Sequence, residues 1–211
     1  MQTLQQRQID LSIIIPVYNL EHYLDPMLRS LAEQDLAGYT IEIIFVLNNC
    51  TDRSEDVIRN SGLDCTILNC TTQGCGPARN MGLDVAVGKY IWMMDGDDWL
   101  LTDNAIYIAL DTATACDFDV LRIPFESERF CHGYFSMVWQ YLFKSRYISE
   151  FRFPAIQPCE DDAFMQQVLD KAGYDHDTYW LLPCLNQPLY YYNYMREGSN
   201  MYRVIVLGER I

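Results

Sequence analysis

Three carboxylates gather around one glycine in the stretch MMDGDDWL, at residues 93–100. Asp95, Asp97 and Asp98 follow the hydrophobic run at 89–92. Like charges that leave water together are unfavourable unless a cation or another partner lies among them. Mg²⁺ and Mn²⁺ prefer carboxylate and phosphate oxygens, and they need few protein carboxylates when a diphosphate supplies the remaining ligands. The stretch is therefore either a solvated Asp-Gly turn or a metal–phosphate site.

Two other polar segments have residue types that suit this chemistry. The acids at 160–162 open a predicted helix, where the helix dipole favours them, but one of them can also serve as a general base. The segment GCGPARNMG, at 74–82, lacks the third glycine of a dinucleotide fingerprint and does not begin the fold, so NAD binding is rejected. It still predicts a helix N-terminus that carries Arg79, either as a diphosphate partner or as an ordinary surface arginine.

The first hundred residues alternate between hydrophobic strands and helices. The predicted strands are 11–16, 41–47, 65–68 and 90–94, and the predicted helices are 21–34, one that begins near 51, and 76–87 with Pro77 in its first position and Gly88 at its end. Strands that are apolar throughout are typical of a parallel sheet covered on both faces. The pattern predicts an α/β fold, with a mainly parallel central sheet flanked by helices.

Ligands of such sheets bind beyond the carboxyl ends of the strands. The loops that follow the first, second and fourth predicted strands are PVYN at 16–19, NNCTD at 48–52 and DGDDW at 95–99. We therefore expect these three loops to line one crevice. This position favours the metal–phosphate interpretation of the DGDDW turn.

Later segments give weaker patterns. They predict a helix at 104–115, a strand at 118–123, an aromatic-rich helix at 134–146, a helix at 160–172 and a tyrosine-rich strand at 187–194. No linker or repeat interrupts the chain, so residues 1–211 are predicted to form a single domain.

The composition and the absence of certain motifs argue against several classes of protein. The formal charge of −14 opposes a generic, charge-driven grip on nucleic acid, although it does not exclude a local basic groove. No apolar segment reaches the ~18 residues of a membrane span, and the N-terminus lacks a signal-peptide pattern, so a cytoplasmic location is expected. The eight cysteines form no CxxC pair, which argues against structural zinc.

Together these motifs resemble the family 2 glycosyltransferases, which are inverting enzymes of the GT-A fold. The matching stretches are LSIIIPVYN (11–19), IEIIFVLNNCTDRS (41–54), GPARNMGLDVAVGKYIWMMDGDDWL (76–100), CEDDAFMQQVL (159–169) and LYYYNYMREGS (189–199). They occur in the order typical of the family and cover nearly the whole chain.

The resemblance implies a role for each motif. Asp95 and Asp97, with Gly96 between them, are similar to the DxD motif that holds Mn²⁺ or Mg²⁺ on the diphosphate of the donor, and Asp161 is similar to the catalytic base. The donor would be a nucleotide-diphosphate sugar. The diphosphate of the donor would contact Arg79. Its nucleoside would bind in a pocket formed by Pro16, Tyr18, Asn19 and Asn48. Trp139 falls where these enzymes often have an acceptor-side aromatic residue.

The resemblance also implies that the two halves of the chain bind different substrates. Residues of about 10–100 would bind the nucleotide sugar and residues of about 101–211 would bind the acceptor. A glycan or glycoconjugate acceptor is expected, in polysaccharide biosynthesis. The alternatives are a viral type of enzyme that acts on a modified DNA base, a module that binds nucleotide sugars without turnover, and a nucleotidyltransferase.

One motif departs from the family. Where the family usually reads VDDGSTD, residues 46–52 read VLNNCTD. The acid that commonly pairs with uracil is thus replaced by Asn48, whose amide offers both a donor and an acceptor to a base. UDP is the first expected nucleotide, and GDP is the next.

Overall fold

The fold is built on a mixed β-sheet with helices on both faces. The computed structural model describes residues 8–127, 137–155, 160–175 and 178–193. Its strands are β1 (Leu11–Val17), β2 (Ile41–Asn48), β3 (Thr66–Cys70), β4 (Tyr90–Met93), β5 (Trp99–Leu100), β6 (Val120–Arg122), β7 (Phe125–Glu126), β8 (Tyr141–Lys144) and β9 (Tyr190–Tyr191). Its α-helices are α1 (Leu24–Ala32), α2 (Ser54–Asn60), α3 (Cys75–Val85), α4 (Ala105–Ala115), α5 (Ser145–Ile148) and α6 (Glu160–Ala172).

Within the described ranges, the main sheet has six strands in the order β3-β2-β1-β4-β8-β6. The first four are parallel, and β8 runs antiparallel to both of its neighbours. A smaller sheet of order β5-β9-β7 lies beside the DGDDW stretch. The predicted α/β class with a mainly parallel sheet is confirmed.

The strand β1 shows how the core is divided. Ile13 and Ile15 face one hydrophobic cluster together with α1 and α4, whereas Ile14 faces a second cluster together with α3 and α6. Because successive side chains of a strand point to opposite faces, a continuous apolar strand is needed to serve both clusters. The prediction from apolar runs depended on this property, and it succeeded for β1, β2 and β4.

The helix α3 approaches the sheet closely at Gly82. A Cβ atom at this position would lie 2.4 Å from Ile14 Cγ2, so any larger residue would push the helix away from β1. This contact matters for the site because α3 carries Arg79. The helix begins at Cys75, which places Pro77 at its third position and not at the predicted first position, and it ends three residues before Gly88.

The predicted aromatic helix at 134–146 is wrong over its described part. Val138–Gln140 is a 3₁₀ turn, Tyr141–Lys144 is the strand β8, and only the short α5 follows; residues 134–136 lie outside the described residues. All four residues of β8 are buried, so the strand shows no alternation of polar and apolar residues that would have distinguished it from a buried helix. The tyrosine-rich strand is also shorter than predicted, and residue 194 is outside the described part.

None of the described helices is long and apolar enough to cross a membrane.

Candidate active site at the carboxyl ends of the strands

A buried arginine joins carboxylates from two other parts of the chain. Arg79 Nη2 donates to Asp95 Oδ1 at 2.8 Å, and its Nη1 donates to Asp161 Oδ1 at 2.6 Å. Glu160 Oε1 lies 3.4 Å from the same Nη1. Arg79 belongs to α3, Asp95 follows β4, and the two other acids begin α6. The fold thus brings the predicted metal carboxylate and the predicted base onto one guanidinium group.

The charges of this cluster do not balance. Burial opposes the charge of Arg79, but the carboxylates of Asp161 and Asp95 raise its pKa above the ordinary value, so it remains a cation. Loss of surrounding water raises the pKa of Asp161 to about 7, although Arg79 acts in the opposite direction. Burial also raises the pKa of Glu160. One guanidinium faces three carboxyl groups, so bound protons or a further cation must balance the remaining charge.

This arrangement differs from the role predicted for Arg79. Its side chain is 3% exposed and both of its Nη atoms donate to carboxylates, so it lies at the centre of the cluster and not on the surface of the crevice. Arginine suits this position because its planar fork binds carboxylates from two directions. A contact between Arg79 and a diphosphate stays a prediction.

The DGDDW stretch forms a turn in which the three aspartates have different surroundings. The N–H of Asp98 donates to the carbonyl of Asp95 at 3.2 Å. Asp98 is fully buried: its Oδ2 accepts from the Tyr190 hydroxyl at 2.7 Å, and its Oδ1 accepts from the Asn193 N–H at 2.8 Å. Burial, followed by the charges of Asp97 and Asp95, raises the pKa of Asp98 well above its ordinary value. Asp95 and Asp97 are only partly buried.

The predicted cofactor residue Gly96 packs against the core. A Cβ atom there would lie 2.9 Å from Leu20 Cδ1, the far end of a side chain in the loop after β1, so a larger residue would fit only if Leu20 shifted. The turn therefore packs closely on the loop after β1.

The loop after β1 places the predicted nucleoside residues differently. Tyr18 is 53% exposed at the end of the strand, which leaves its ring accessible to a base. Asn19 has a positive φ of 50°, and its Oδ1 accepts from the N–H of Thr51 at 2.8 Å, which ties this loop to the one after β2. Pro16 is buried inside β1, opposite Val46. Of the three, Tyr18 has the greatest exposure.

The amide of Asn48 is occupied within the protein. Its Nδ2 donates to the carbonyls of Thr72 at 2.6 Å and Cys70 at 3.4 Å, and its Oδ1 accepts from the N–H of Gly74 at 2.8 Å. The side chain thus holds the loop that leads into α3, and it does not present its amide to the crevice as the sequence suggested. An aspartate could not reproduce this set, because it would face the two carbonyls without a donor.

A cavity of about 150 Å³ opens at the carboxyl ends of β2 and β3. Its lining residues include Asn49, Asp52, Asn69 and Thr71. Asn49 and Asp52 come from the loop after β2 that the sequence predicted to line the crevice, whereas Asn69 and Thr71 come from the end of β3, which that prediction did not include.

Trp139, predicted on the acceptor side, is buried. Its ring stacks on Tyr190 with centroids 4.9 Å apart and on Tyr192 at 4.8 Å, and 2% of the residue is exposed. It therefore supports the tyrosine-rich strand. The sequence predicts a tyrosine-rich strand here but gives no indication of a role for the Tyr190 hydroxyl, because no spacing rule links residue 190 to the turn at 95–98.

The central, mostly parallel sheet matches that of GT-A structures. The structure of TarS from Staphylococcus aureus with UDP-GlcNAc matches with a TM-score of 0.78 and 22% identity, and the match covers 92% of this chain and 61% of that one. The mannosyltransferase PcManGT from Pyrobaculum calidifontis, in complex with GDP-Man and Mn²⁺, matches with a TM-score of 0.70 and 16% identity, over 94% of this chain and 61% of that one.

Sequence comparison gives the family. The profile of glycosyl transferase family 2 matches residues 12–155. An uncharacterized glycosyltransferase of Haemophilus influenzae is 38% identical over 98 residues, which are 44% of this chain and 38% of that protein. TarS, a poly(ribitol-phosphate) beta-N-acetylglucosaminyltransferase, is 33% identical over 105 residues, 46% of this chain and 18% of TarS. The chain belongs to glycosyl transferase family 2, and its match spans less than half the length of these two relatives.

Proposed function

We propose that this protein is an inverting, metal-dependent glycosyltransferase that moves a sugar from a nucleotide-diphosphate sugar to an acceptor hydroxyl. The observation that carries the proposal is the shared contact of Asp95 and Asp161 with Arg79, at 2.8 and 2.6 Å. This contact supports the proposal because Asp95, the proposed ligand of the donor's metal, and Asp161, the proposed base, bind the same side chain. Residues of about 10–100 would bind the donor, and residues of about 101–211 would bind the acceptor.

Asp95 and Asp97 would hold a Mn²⁺ or Mg²⁺ ion. Both side chains offer the oxygen ligands that these ions prefer, and the surplus of carboxyl groups around Arg79 favours a cation here. The described residues contain no cluster of three or more His, Cys, Asp or Glu side chains arranged to hold a metal, so the donor's diphosphate would have to supply the remaining ligands. When bound, the ion would stabilise the negative charge that develops on the departing diphosphate.

Asp161 would act as the general base. Its side chain is 21% exposed, so an acceptor can reach it, and its Oδ2 accepts from the N–H of Val138 at 3.4 Å. Asp161 takes the proton of the acceptor hydroxyl as that oxygen forms a bond to the anomeric carbon. The bond from this carbon to the diphosphate oxygen breaks on the opposite face, which inverts the configuration.

Relatives support the choice of substrates. TarS has been seen with UDP-GlcNAc and PcManGT with GDP-Man, so we rank UDP first and GDP second as the donor nucleotide. TarS is a poly(ribitol-phosphate) beta-N-acetylglucosaminyltransferase. A glycan or glycoconjugate acceptor is therefore proposed.

Product analysis tests this proposal against its rivals. Incubation with UDP-sugars, Mn²⁺ and a panel of glycan acceptors should release UDP and a glycosylated product. Pyrophosphate released from a nucleoside triphosphate would instead indicate a nucleotidyltransferase. Transfer to DNA alone would overturn the proposed acceptor class, and nucleotide binding without any product would indicate a binding module.

Replacing Asp97 by asparagine should remove the effect of the metal on nucleotide binding. Because the variant loses one of two carboxylate ligands, Mn²⁺ is expected to change its affinity for UDP by no more than about twofold. Calorimetric titration with and without Mn²⁺ measures this effect. Asp103→Asn is the control, since Asp103 is an exposed aspartate shortly after the turn. A wild-type response to Mn²⁺ in Asp97→Asn would exclude Asp97 as a ligand.

The pH dependence of turnover should report the raised pKa of Asp161. A general base must be deprotonated, and the pKa of this carboxyl is about 7, so the acid form prevails below that pH. We expect kcat/KM to fall about tenfold for each pH unit below 6, because a single protonation removes the active form of the free enzyme. The profile is measured at subsaturating donor and acceptor between pH 5 and 9. A kcat/KM that stays constant down to pH 5 would contradict this assignment.

A further inference from the structure

The buried hydroxyl of Tyr190 lies between two parts of the DGDDW turn. It donates to Asp98 Oδ2 at 2.7 Å and accepts from the backbone N–H of Asp95 at 3.0 Å. Tyr190 is fully buried, so water cannot replace either of these hydrogen bonds. A single side chain from β9 thus fixes both the first and the last aspartate of the turn.

Neighbouring residues add to this connection. The N–H of Asn193 donates to Asp98 Oδ1 at 2.8 Å, and its Nδ2 donates to the carbonyl of Asp97 at 3.2 Å. The strand β9 also pairs with β5, which directly follows the turn. Residues 190–193 therefore contact the backbone or side chains of all three aspartates, although they lie about ninety positions further along the chain.

The geometry points to Tyr190 as a positioning residue that holds the DGDDW turn in the conformation that binds the metal. This inference rests on the proposed function, because it assigns Asp95 and Asp97 as ligands. Asp98 has both of its oxygens bonded to Tyr190 and Asn193 inside the core, which leaves the two partly buried aspartates to face the ion. Partners behind metal ligands typically change metal affinity or activity by about 10- to 100-fold when they are removed.

Tyr190→Phe tests this inference with little change in packing. The ring remains to stack on Trp139, and only the hydroxyl with its two hydrogen bonds is lost. We expect the Kd of Mn²⁺, titrated in the presence of saturating UDP, to rise about 10- to 100-fold. UDP affinity in EDTA should stay within about twofold of wild type, since no proposed base contact involves β9.

Tyr90→Phe is the matched control. Tyr90 is also a buried tyrosine, and its hydroxyl donates to the carbonyl of Ala113 at 2.9 Å, away from the turn. Its loss should lower Tm to a similar extent and leave the Kd of Mn²⁺ unchanged. If the role of Tyr190 were purely structural, both variants would lower Tm and leave the Kd of Mn²⁺ unchanged.

Hydrogen exchange of the Asp95 amide gives a readout without metal. In Tyr190→Phe this amide loses its acceptor, so its exchange should accelerate at least tenfold, while it should not change in Tyr90→Phe. If Tyr190→Phe shows wild-type exchange and wild-type Mn²⁺ affinity, this inference is overturned and the proposed function still stands. If the wild-type protein binds none of UDP, GDP, dTDP and CDP with Mn²⁺, the metal site itself is refuted, and the proposed function and this inference both fail.

Discussion

Replacing Asp161 by asparagine is expected to lower kcat by about 10²- to 10⁴-fold, the range that general bases usually contribute. Asparagine keeps the shape of the side chain, and its oxygen can still accept a hydrogen bond from Arg79, although without a charge. It cannot take the proton of the acceptor hydroxyl. The affinity for UDP with Mn²⁺ should remain close to that of the wild-type protein, because the metal ligands stay in place. Single-turnover transfer and calorimetric titration measure the two quantities separately.

The neighbouring acid provides the control for this experiment. Asp162 is exposed in the same first turn of α6, and Asp162→Asn should transfer sugar at nearly the wild-type rate. If Asp161→Asn kept full activity, the base would be Glu160 or Asp162, or the assignment of this helix to the acceptor side would be wrong. Loss of nucleotide binding in Asp161→Asn would instead point to a role in donor binding.

Replacing Arg79 by methionine should produce the largest loss of stability. Three carboxyl groups would lose their shared buried cation, and removal of one partner from a buried ion pair usually destabilises a protein by about 3–5 kcal/mol. We expect a value near the lower limit, about 3 kcal/mol, because Asp95 and Asp161 keep some contact with water. Urea unfolding at pH 7 measures the difference in free energy.

Two comparisons separate this effect from a general loss of charge. Arg59→Met removes an exposed i,i+4 pair with Glu55 and should change stability by only about 0.5 kcal/mol. The destabilisation of Arg79→Met should shrink at pH 5: without the guanidinium the pKa values of Asp161 and Glu160 rise further, so the folded variant binds more protons and gains stability as pH falls. Equal destabilisation at both pH values would show that packing, and not charge, explains the role of Arg79.

Much of the fold could be predicted from local patterns. The strands β1, β2 and β4 are continuous apolar runs, and a parallel sheet with both faces covered requires this composition. The strand β8 could not be recognised, because its pairing partners β4 and β6 are distant in the sequence and its four buried residues show no period. Non-local pairing of this kind is decided by tertiary packing.

The site was only partly predictable for the same reason. The acids of the DGDDW turn and of α6 could be found as motifs. Their shared contact with Arg79 could not, because a motif gives the position of a residue in the chain but not its neighbours in space. Asn48 looked free to read a base, whereas its amide holds the loop at 70–74. Tyr190 carries no sequence signal beyond its membership of a tyrosine run.

The most direct test of the central claim, a metal–diphosphate site at Asp95 and Asp97, is calorimetric titration of the wild-type protein with UDP, GDP, dTDP and CDP, each with and without Mn²⁺. If this site exists, one nucleotide, UDP first, will bind only or far more tightly when Mn²⁺ is present. Binding of no nucleotide, or binding that Mn²⁺ does not change, would contradict it.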